Sequence, residues 1–150
     1  MRIFIQRVSS AKVEVDSNVV GSIGRGLCVF VGFSTDDQLS MISELAQKML
    51  HLRIFPDSSG KMHHSVLDIE GEVLIVSQFT LYAECSGRRP SFTKAMEPTK
   101  AKQWYDMFLH EVTSLAQKSQ KKLGVKQGVF GANMQVFLTN DGPVSILLEK

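Results

Sequence analysis

The stretch Glu72-Val73-Leu74-Ile75-Val76-Ser77-Gln78-Phe79-Thr80-Leu81 decides how the rest of the chain is arranged. Its first half is a continuous run of apolar, β-prone residues, which is typical of a strand buried on both faces. Its second half places hydroxyl, amide and main-chain donors where that strand ends. The pattern therefore predicts a buried strand whose outgoing tip, residues 77–81, forms the floor of a polar reaction site.

A second polar stretch, Asn140-Asp141-Gly142-Pro143-Val144-Ser145, lies between two β-prone runs near the C-terminus. Gly142 accepts backbone conformations that other residues avoid, and Pro143 has no N–H. Bonds that precede proline are also the ones that adopt the cis form. We therefore expect a cis peptide or an unusual carbonyl direction here, with an ordinary turn after Asp141 as the alternative.

The remaining chain alternates between strand and helix patterns. Apolar residues at helical spacing predict a first helix that begins after N-cap candidates at residues 34–37 and continues to about residue 52. Pro98 suits the first turn of a second helix, which Gly124 ends. The short β-prone runs predict an opening β-meander and two C-terminal strands around the Gly142-Pro143 corner: residues 2–8, 11–15, 19–23 and 27–33, then residues 134–138 and 144–148.

The composition predicts one domain, residues 1–150, because 43% of the 150 residues are hydrophobic and can fill a core. Charges follow Met1 too early for a signal peptide, and no apolar stretch approaches the ~20 residues that span a bilayer. Two cysteines, Cys28 and Cys85, suit a reducing compartment better than a disulfide scaffold. We therefore expect a cytoplasmic protein that does not enter a membrane.

The net charge of +2 hides an asymmetry along the chain. Residues 1–80 carry 7 basic and 9 acidic side chains, whereas residues 81–126 carry 9 basic and 4 acidic ones. Such a basic segment is able to attract the phosphates of a nucleic acid, although charged stretches often serve only to solvate a surface. Both interpretations remain open at this point.

Known catalytic motifs are missing around the strand tip. Ser77 lacks the two glycines of a nucleophile elbow, and Thr80 as a nucleophile needs a base that the sequence does not supply.

The adjacent His63 and His64 point apart on an extended backbone, so the sequence predicts no metal site. No phosphate-binding glycine loop is present either, so we expect no cofactor. Ester hydrolysis remains possible, because donors aimed at a developing oxyanion contribute ~3 to 4 kcal/mol each.

Taken together, the motifs resemble one protein family. Ser77-Gln78-Phe79-Thr80-Leu81 and Asn140-Asp141-Gly142-Pro143-Val144-Ser145 resemble the two signature motifs of the D-aminoacyl-tRNA deacylases, formerly called D-tyrosyl-tRNA deacylases. Ser145 stands where the family commonly has threonine, and His63 where asparagine is usual. Shorter similarities follow in the family's order along nearly the whole chain: Ile5-Gln6-Arg7-Val8, Arg53-Ile54-Phe55, Arg89-Pro90-Ser91-Phe92, Phe130-Gly131-Ala132 and Met134.

The resemblance implies a hydrolase that cleaves the ester between a D-amino acid and the terminal adenosine of tRNA. It implies a homodimer with a mixed α/β fold, in which largely antiparallel curved sheets carry two main helices. A cis Gly142-Pro143 peptide is then expected to enter the partner's pocket, where its rigid carbonyls reject L-amino acids. Achiral glycine, such as glycine mischarged on tRNA-Ala, is expected to pass this filter.

The resemblance also implies roles for individual residues. Ser77, Gln78, Phe79 and Thr80 are expected to form the catalytic pocket, in which main-chain N–H groups near Phe79 and Thr80 bind the oxyanion and the ribose 2′-hydroxyl assists the attacking water. The implied substrate-binding residues are Arg7, which holds the Gly-Pro loop, and Phe130 and Met134, which contact the adenine. For these three, core packing and strand-end pairing remain the alternative.

Two other functions remain as alternatives. One is a non-catalytic RNA- or DNA-binding module that uses the basic residues between 88 and 126. The other is a small esterase in which Thr80 is the nucleophile and forms an acyl-enzyme.

Overall fold

The computed structural model describes residues 1–150 as a mixed α/β fold with two α-helices and one large curved sheet. A 3₁₀ turn, Phe79–Tyr82, follows the sixth strand. The helices are α1 (Ser40–His51) and α2 (Pro98–Lys118). The strands are β1 (Arg2–Val15), β2 (Asn18–Ile23), β3 (Gly26–Gly32), β4 (Phe55–Pro56), β5 (Met62–His64), β6 (Glu72–Ser77), β7 (Gly124–Gln127) and β8 (Gln135–Glu149).

The predicted buried strand is confirmed as β6, which lies between β3 and β7 and is parallel to both. Its residues alternate between two hydrophobic clusters. Val73 and Ile75 pack into the larger cluster, beneath the helices, whereas Leu74 and Val76 pack into a smaller cluster on the other face. Both faces are therefore covered, which explains why the run 73–76 is continuously apolar.

The opening β-meander is a wrong prediction. β1 is one continuous strand, and both β2 and β3 pair with it in antiparallel fashion, so β2 and β3 are not neighbours. The predicted strands at residues 2–8 and 11–15 are not separate, since β1 continues through Ser9 and Ser10 with an irregular register against β8. The first half of β1 pairs with β3 and its second half pairs with β2, and the sheet curves around β1.

The two C-terminal strands expected around Gly142 and Pro143 are one strand, β8, which is antiparallel to β1 along its whole length. Val8 pairs with Asn140 and Gln6 pairs with Ser145, so four residues of β8 lie opposite the single residue Arg7. The Gly-Pro segment is therefore a large bulge within one strand.

Both predicted helices are present, but the start of α1 and the end of α2 differ from the prediction. Helix α2 ends at Lys118, and Gly124 begins β7 instead of ending the helix. The N-cap position of α1 is Leu39, whose apolar side chain cannot accept a hydrogen bond. The expected cap Asp37 instead accepts from the Ser34 N–H at 2.8 Å in a turn of its own. For α2, Pro98 occupies the first turn as expected. Neither α1 nor α2 combines the length and the apolar content that crossing a bilayer requires.

A candidate active site at the end of the central strand

A cavity of about 600 Å³ opens where the parallel strands β3 and β6 end. Carboxyl ends of parallel strands meet at one edge of a sheet, so the residues that follow them are brought together. The structure places Ser77, Gln78 and Phe79 at this edge, beside Gly32. We call this space the reaction cavity; its other lining residues are Val31, Phe33, Val76, Phe92, Ala95, Met96, Glu97, Pro98, Ala101, Phe130, Gly131, Ala132, Met134 and Val136.

The strand tip presents two unused main-chain donors. The Gln78 N–H donates to the Val31 carbonyl at 2.8 Å, and the Leu81 N–H donates to the Gln78 carbonyl at 3.3 Å. Between them, the N–H groups of Phe79 and Thr80 donate to no acceptor in the chain, since they lead the 3₁₀ turn. Phe79 lines the reaction cavity and Thr80 is the next residue along the chain. Two adjacent free donors of this kind are suited to bind one oxygen atom.

The side chains of the tip divide into two environments. Ser77 and Gln78 are half-buried and line the reaction cavity, whereas Thr80 is exposed and does not line it. Gln78 Nε2 donates to Thr80 Oγ1 at 2.5 Å, which fixes the two side chains relative to each other. The Thr80 hydroxyl thereby accepts from an amide, and no histidine or carboxylate activates it.

Phe130 and Met134 lie on the opposite wall of the reaction cavity, as part of the segment between β7 and β8. The Phe130 ring packs against Tyr105 with 5.7 Å between ring centroids, and the Tyr105 hydroxyl donates to the Ile75 carbonyl at 2.8 Å. Phe130 is therefore held by a buried residue of α2 that is itself anchored to β6. An apolar face fixed in this way is suited to stack on a planar ring.

Glu97 is the one ionisable residue that lines the reaction cavity. Its carboxylate caps α2 by accepting from the Thr99 N–H at 2.9 Å and from the Lys100 N–H at 3.0 Å. These hydrogen bonds to the charged form lower the pKa of Glu97 below its ordinary value. The carboxylate is therefore occupied by hydrogen bonds to the first turn of α2 and is poorly suited to accept a proton at neutral pH.

The cap predicts a pH-dependent stability. Because the folded pKa of Glu97 lies below the unfolded one, the stabilisation is present above the unfolded pKa and is lost as the pH falls through the folded pKa. We expect Glu97→Ala to lower Tm at pH 7 by on the order of 2 °C and to change it much less at pH 3. Thermal unfolding of both proteins at the two pH values measures this, and an equal loss at pH 3 and pH 7 would contradict the charged cap.

The remaining reactive residues lie elsewhere. None of the four histidines lines the reaction cavity, and no three His, Cys, Asp or Glu side chains are grouped to hold a metal ion. Cys28 is buried in β3, where burial raises the pKa of its thiol to about 12. The Cys28 thiol is therefore a core group and not a nucleophile.

The Gly142-Pro143 peptide is cis, and its segment is tied down from several sides. The buried Arg7 donates through Nε to the Asp141 carbonyl at 2.9 Å and through Nη1 to the Ile54 carbonyl at 2.5 Å. The Val144 N–H donates to Asn140 Oδ1 at 2.7 Å, and Asn140 Nδ2 donates to Ser145 Oγ at 3.0 Å. The serine thus supplies the hydroxyl that holds Asn140. The bulge is a built structure, not the ordinary turn considered as an alternative.

Within the chain this bulge is far from the reaction cavity. Gly142 lies opposite Arg7, which pairs with Leu27, whereas Ser77 pairs with Val31 four residues further along β3. Three strand spacings also separate β8 from β6, so the two positions are about 20 Å apart along the sheet. Arg7, Gly142 and Pro143 are accordingly absent from the lining of the reaction cavity.

Several lining residues were missed by the sequence analysis. Gly32 closes β3 against the tip, since a Cβ there would lie 2.7 Å from the Gln78 carbonyl oxygen. Met96, Glu97 and Pro98 bring the start of α2 to the cavity. For Gly32, a glycine within the apolar run 27–33 is the signal that could have found it. For the start of α2, the sequence carries no comparable signal.

A family model and named relatives point to the same family. A family model described as D-Tyr-tRNA(Tyr) deacylase matches residues 4–149. Proteins named D-aminoacyl-tRNA deacylase from Aquifex aeolicus and Thermotoga petrophila are 50% and 52% identical over 150 residues, which is 99% of this chain and 97% of each relative.

Two solved structures share the fold. One, named c-Myc DNA Unwinding Element Binding Protein, is 40% identical with a TM-score of 0.92 and covers 100% of this chain and 99% of its own. The other, described as a probable eukaryotic D-amino acid tRNA deacylase, has a TM-score of 0.84 over 98% of this chain and 97% of its own. At 21% identity, the second likeness concerns the fold alone.

Proposed function

The chain belongs to the D-Tyr-tRNA(Tyr) deacylase family, and on this premise we propose that its reaction cavity hydrolyses the ester of D-aminoacyl-tRNA. Water adds to the ester carbonyl, the bond to the ribose oxygen breaks, and that oxygen takes a proton. The products are the free D-amino acid and tRNA.

The observation that carries this proposal is a pair of free N–H groups, one on Phe79, which lines the reaction cavity, and one on Thr80, the next residue. Placed against the ester carbonyl, they stabilise the charge that develops on its oxygen. The lining offers no histidine and no free carboxylate as a base, because Glu97 is engaged as a helix cap. We infer that the ribose 2′-hydroxyl of the substrate orients the attacking water, while Ser77 and Gln78 form the polar floor.

The apolar wall fits the terminal adenosine. Phe130 and Met134 face the floor from the other side, and the contact with Tyr105 keeps the Phe130 ring in place. We assign this wall to the adenine base, since an aromatic face and a polarizable thioether both pack well against a planar ring.

We propose that a second copy of the chain completes the site. In one protomer Gly142 and Pro143 lie about 20 Å from the strand tip, so they reach a reaction cavity only across a dimer interface. Strand β8 supports such an interface: it has 15 residues, pairs only with β1, and exposes 45% of Phe137 and 50% of Leu147. A long open edge with apolar side chains is suited to pairing with another protomer.

We propose that the carbonyls of this bulge select the configuration of the amino acid. Arg7 and Asn140 hold the bulge, so its carbonyl oxygens cannot yield to an L side chain. Glycine has no side chain to reject, so glycine mischarged on tRNA-Ala is a second substrate under this proposal. A tRNA substrate also agrees with a cytoplasmic location.

One experiment tests the activity against its alternatives. Purified protein is incubated with D-tyrosyl-tRNA, with L-tyrosyl-tRNA and with a simple aryl ester, and the loss of each ester is followed. The proposal requires loss of the D ester alone. Binding without cleavage would favour the nucleic-acid-binding module, for which the name of the 40%-identical structure is the supporting observation. Loss of the aryl ester would favour the esterase.

Thr80 separates the deacylase from the esterase. We expect Thr80→Ala to lower kcat for D-tyrosyl-tRNA by about three- to tenfold, because it removes one neutral hydrogen bond from Gln78. Thr80 is exposed, so Tm should not change. Thr80→Ser is the matched control and should keep most of the turnover. An unchanged kcat would contradict the pocket assignment, and a trapped acyl-enzyme would show the esterase instead.

A further inference from the structure

A second cavity, of about 610 Å³, lies between the C-terminal half of α2 and strand β7. Three lysines line it, together with polar and apolar residues of α2, β7 and β2. We call it the lysine cavity; its lining residues are Val20, Leu109, Thr113, Ala116, Gln117, Lys121, Lys122, Leu123, Val125, Lys126 and Gln127.

The lysine cavity has a positive charge with no internal compensation. Lys121, Lys122 and Lys126 are exposed, form no ion pair and share the cavity with no carboxylate. Elsewhere, four lysines are paired with acidic groups: Lys12, Lys94, Lys102 and Lys150. Three free ammonium groups around one concave surface attract an anion with several charges more strongly than scattered surface lysines do.

The lysine cavity is connected to the reaction cavity along the chain. Gln127 lines the first and Phe130 lines the second, and three residues span at most about 10 Å. Strand β7 is parallel to β6, so it leads toward the strand tip. Lys126 is therefore nearest to the reaction cavity, and Lys122 is at most about 27 Å from Phe130.

We propose that the lysine cavity binds backbone phosphates of the tRNA that precede the terminal adenosine. This rests on the proposed function, which seats that adenosine against Phe130. The strand then leaves along the seam between α2 and β7, where Lys126 meets the first phosphates and Lys122 and Lys121 meet later ones. Lysine suits this role because phosphate contacts position a nucleic acid without reading its sequence.

The competing exit from the reaction cavity passes over the loop that carries Arg88 and Arg89. That loop contains Glu84, which pairs with Lys94 at 2.8 Å and accepts from Thr93 at 3.3 Å. Glu84 thus neutralises part of the positive charge of this loop, and the Lys94 ammonium group that it pairs with is not free to bind a phosphate. Beside β7, the Glu72 carboxylate lies against Gly124, but it accepts from the Gly24 N–H and pairs with no lysine. The three lysines of the seam therefore remain unpaired, which favours it as the path of the RNA.

The test replaces the three lysines together, as Lys121→Gln, Lys122→Gln and Lys126→Gln. Binding of uncharged tRNA is measured between 50 and 300 mM salt. We expect the slope of log affinity against log salt to fall by about 2, since each single-stranded phosphate contact contributes about 0.7. In turnover assays, kcat/KM for D-tyrosyl-tRNA should fall about tenfold or more, while hydrolysis of D-tyrosyl-adenosine, which has no such phosphates, should not change.

A matched variant controls for the loss of three charges. Lys48→Gln, Arg53→Gln and Lys61→Gln removes three exposed cations that also lack ion pairs and lie outside both cavities. This variant should keep the salt slope of the wild type. Restoring the charge with arginine at positions 121, 122 and 126 should restore binding.

Each outcome decides the proposal. Equal slopes for the two triple variants would overturn it, and a loss seen only with Arg88→Gln and Arg89→Gln would place the path over the loop. An effect on a DNA duplex without one on tRNA would overturn the assignment to RNA. If the wild type cleaves neither D ester, the proposed function fails, whereas the slope for uncharged tRNA still tests the lysine cavity.

Discussion

Gly32→Ala is expected to lower kcat/KM for D-tyrosyl-tRNA by about 100-fold while leaving the fold intact. A Cβ at this position would lie 2.7 Å from the Gln78 carbonyl oxygen and 3.2 Å from the Leu81 Cβ. The tip must therefore move away from β3, and the N–H groups of Phe79 and Thr80 move with it. Displacing a catalytic group by about 1 Å is enough for a loss of this size.

Gly71→Ala is the matched control for Gly32→Ala. Its Cβ would be crowded somewhat less severely, at 3.0 Å from the Arg25 carbonyl oxygen and 3.0 Å from Ile69 Cδ1, and at the opposite end of β6. Six strand residues, or about 20 Å, separate it from the tip. Comparable losses of Tm with a loss of activity only in Gly32→Ala would support the role of the tip. Full activity in a folded Gly32→Ala would contradict it.

The central strand and the tip could be predicted from the sequence because both are local properties. A strand covered on both faces needs an unbroken apolar run, and residues 73–76 provide it. The polar residues that follow it are then placed at a strand end by chain order alone. The start and the apolar face of the second helix were equally clear, since Pro98 and a regular apolar stripe mark them, whereas its end at Lys118 was not.

The partners of these elements could not be predicted in the same way. Whether β3 meets β6 in parallel depends on pairing between residues more than 40 positions apart, and the apolar patterns of the two strands allow either direction. The wall formed by the start of α2 depends on how that helix packs across the sheet. Arg7 was linked to the Gly-Pro segment only through the family resemblance, because residues 7 and 141 come together solely through the pairing of β1 with β8.

Gly142→Ala is expected to weaken the selection of configuration. Gly142 has φ +132°, a conformation that L side chains rarely adopt, and an added Cβ would lie 2.9 Å from both Arg7 Nη2 and Val144 Cγ2. The bulge must therefore shift, and it loses the contact with Arg7 that fixes its carbonyl oxygens. We expect the ratio of kcat/KM for L-tyrosyl-tRNA to that for D-tyrosyl-tRNA to rise about tenfold or more, which corresponds to about 1.4 kcal/mol of lost discrimination.

Gly60→Ala separates this effect from backbone strain. Gly60 also has a positive φ, +82°, but nothing lies within 4 Å of the position of its Cβ. Both variants should therefore lose stability from the backbone, of the order of 1–3 kcal/mol, whereas only Gly142→Ala should change the ratio of the two substrates. A Gly142→Ala protein that is destabilised like Gly60→Ala yet still ignores L-tyrosyl-tRNA would show that the bulge does not act as the filter. Because the bulge is distant from the reaction cavity of its own protomer, a changed ratio would also favour a site completed by a second copy.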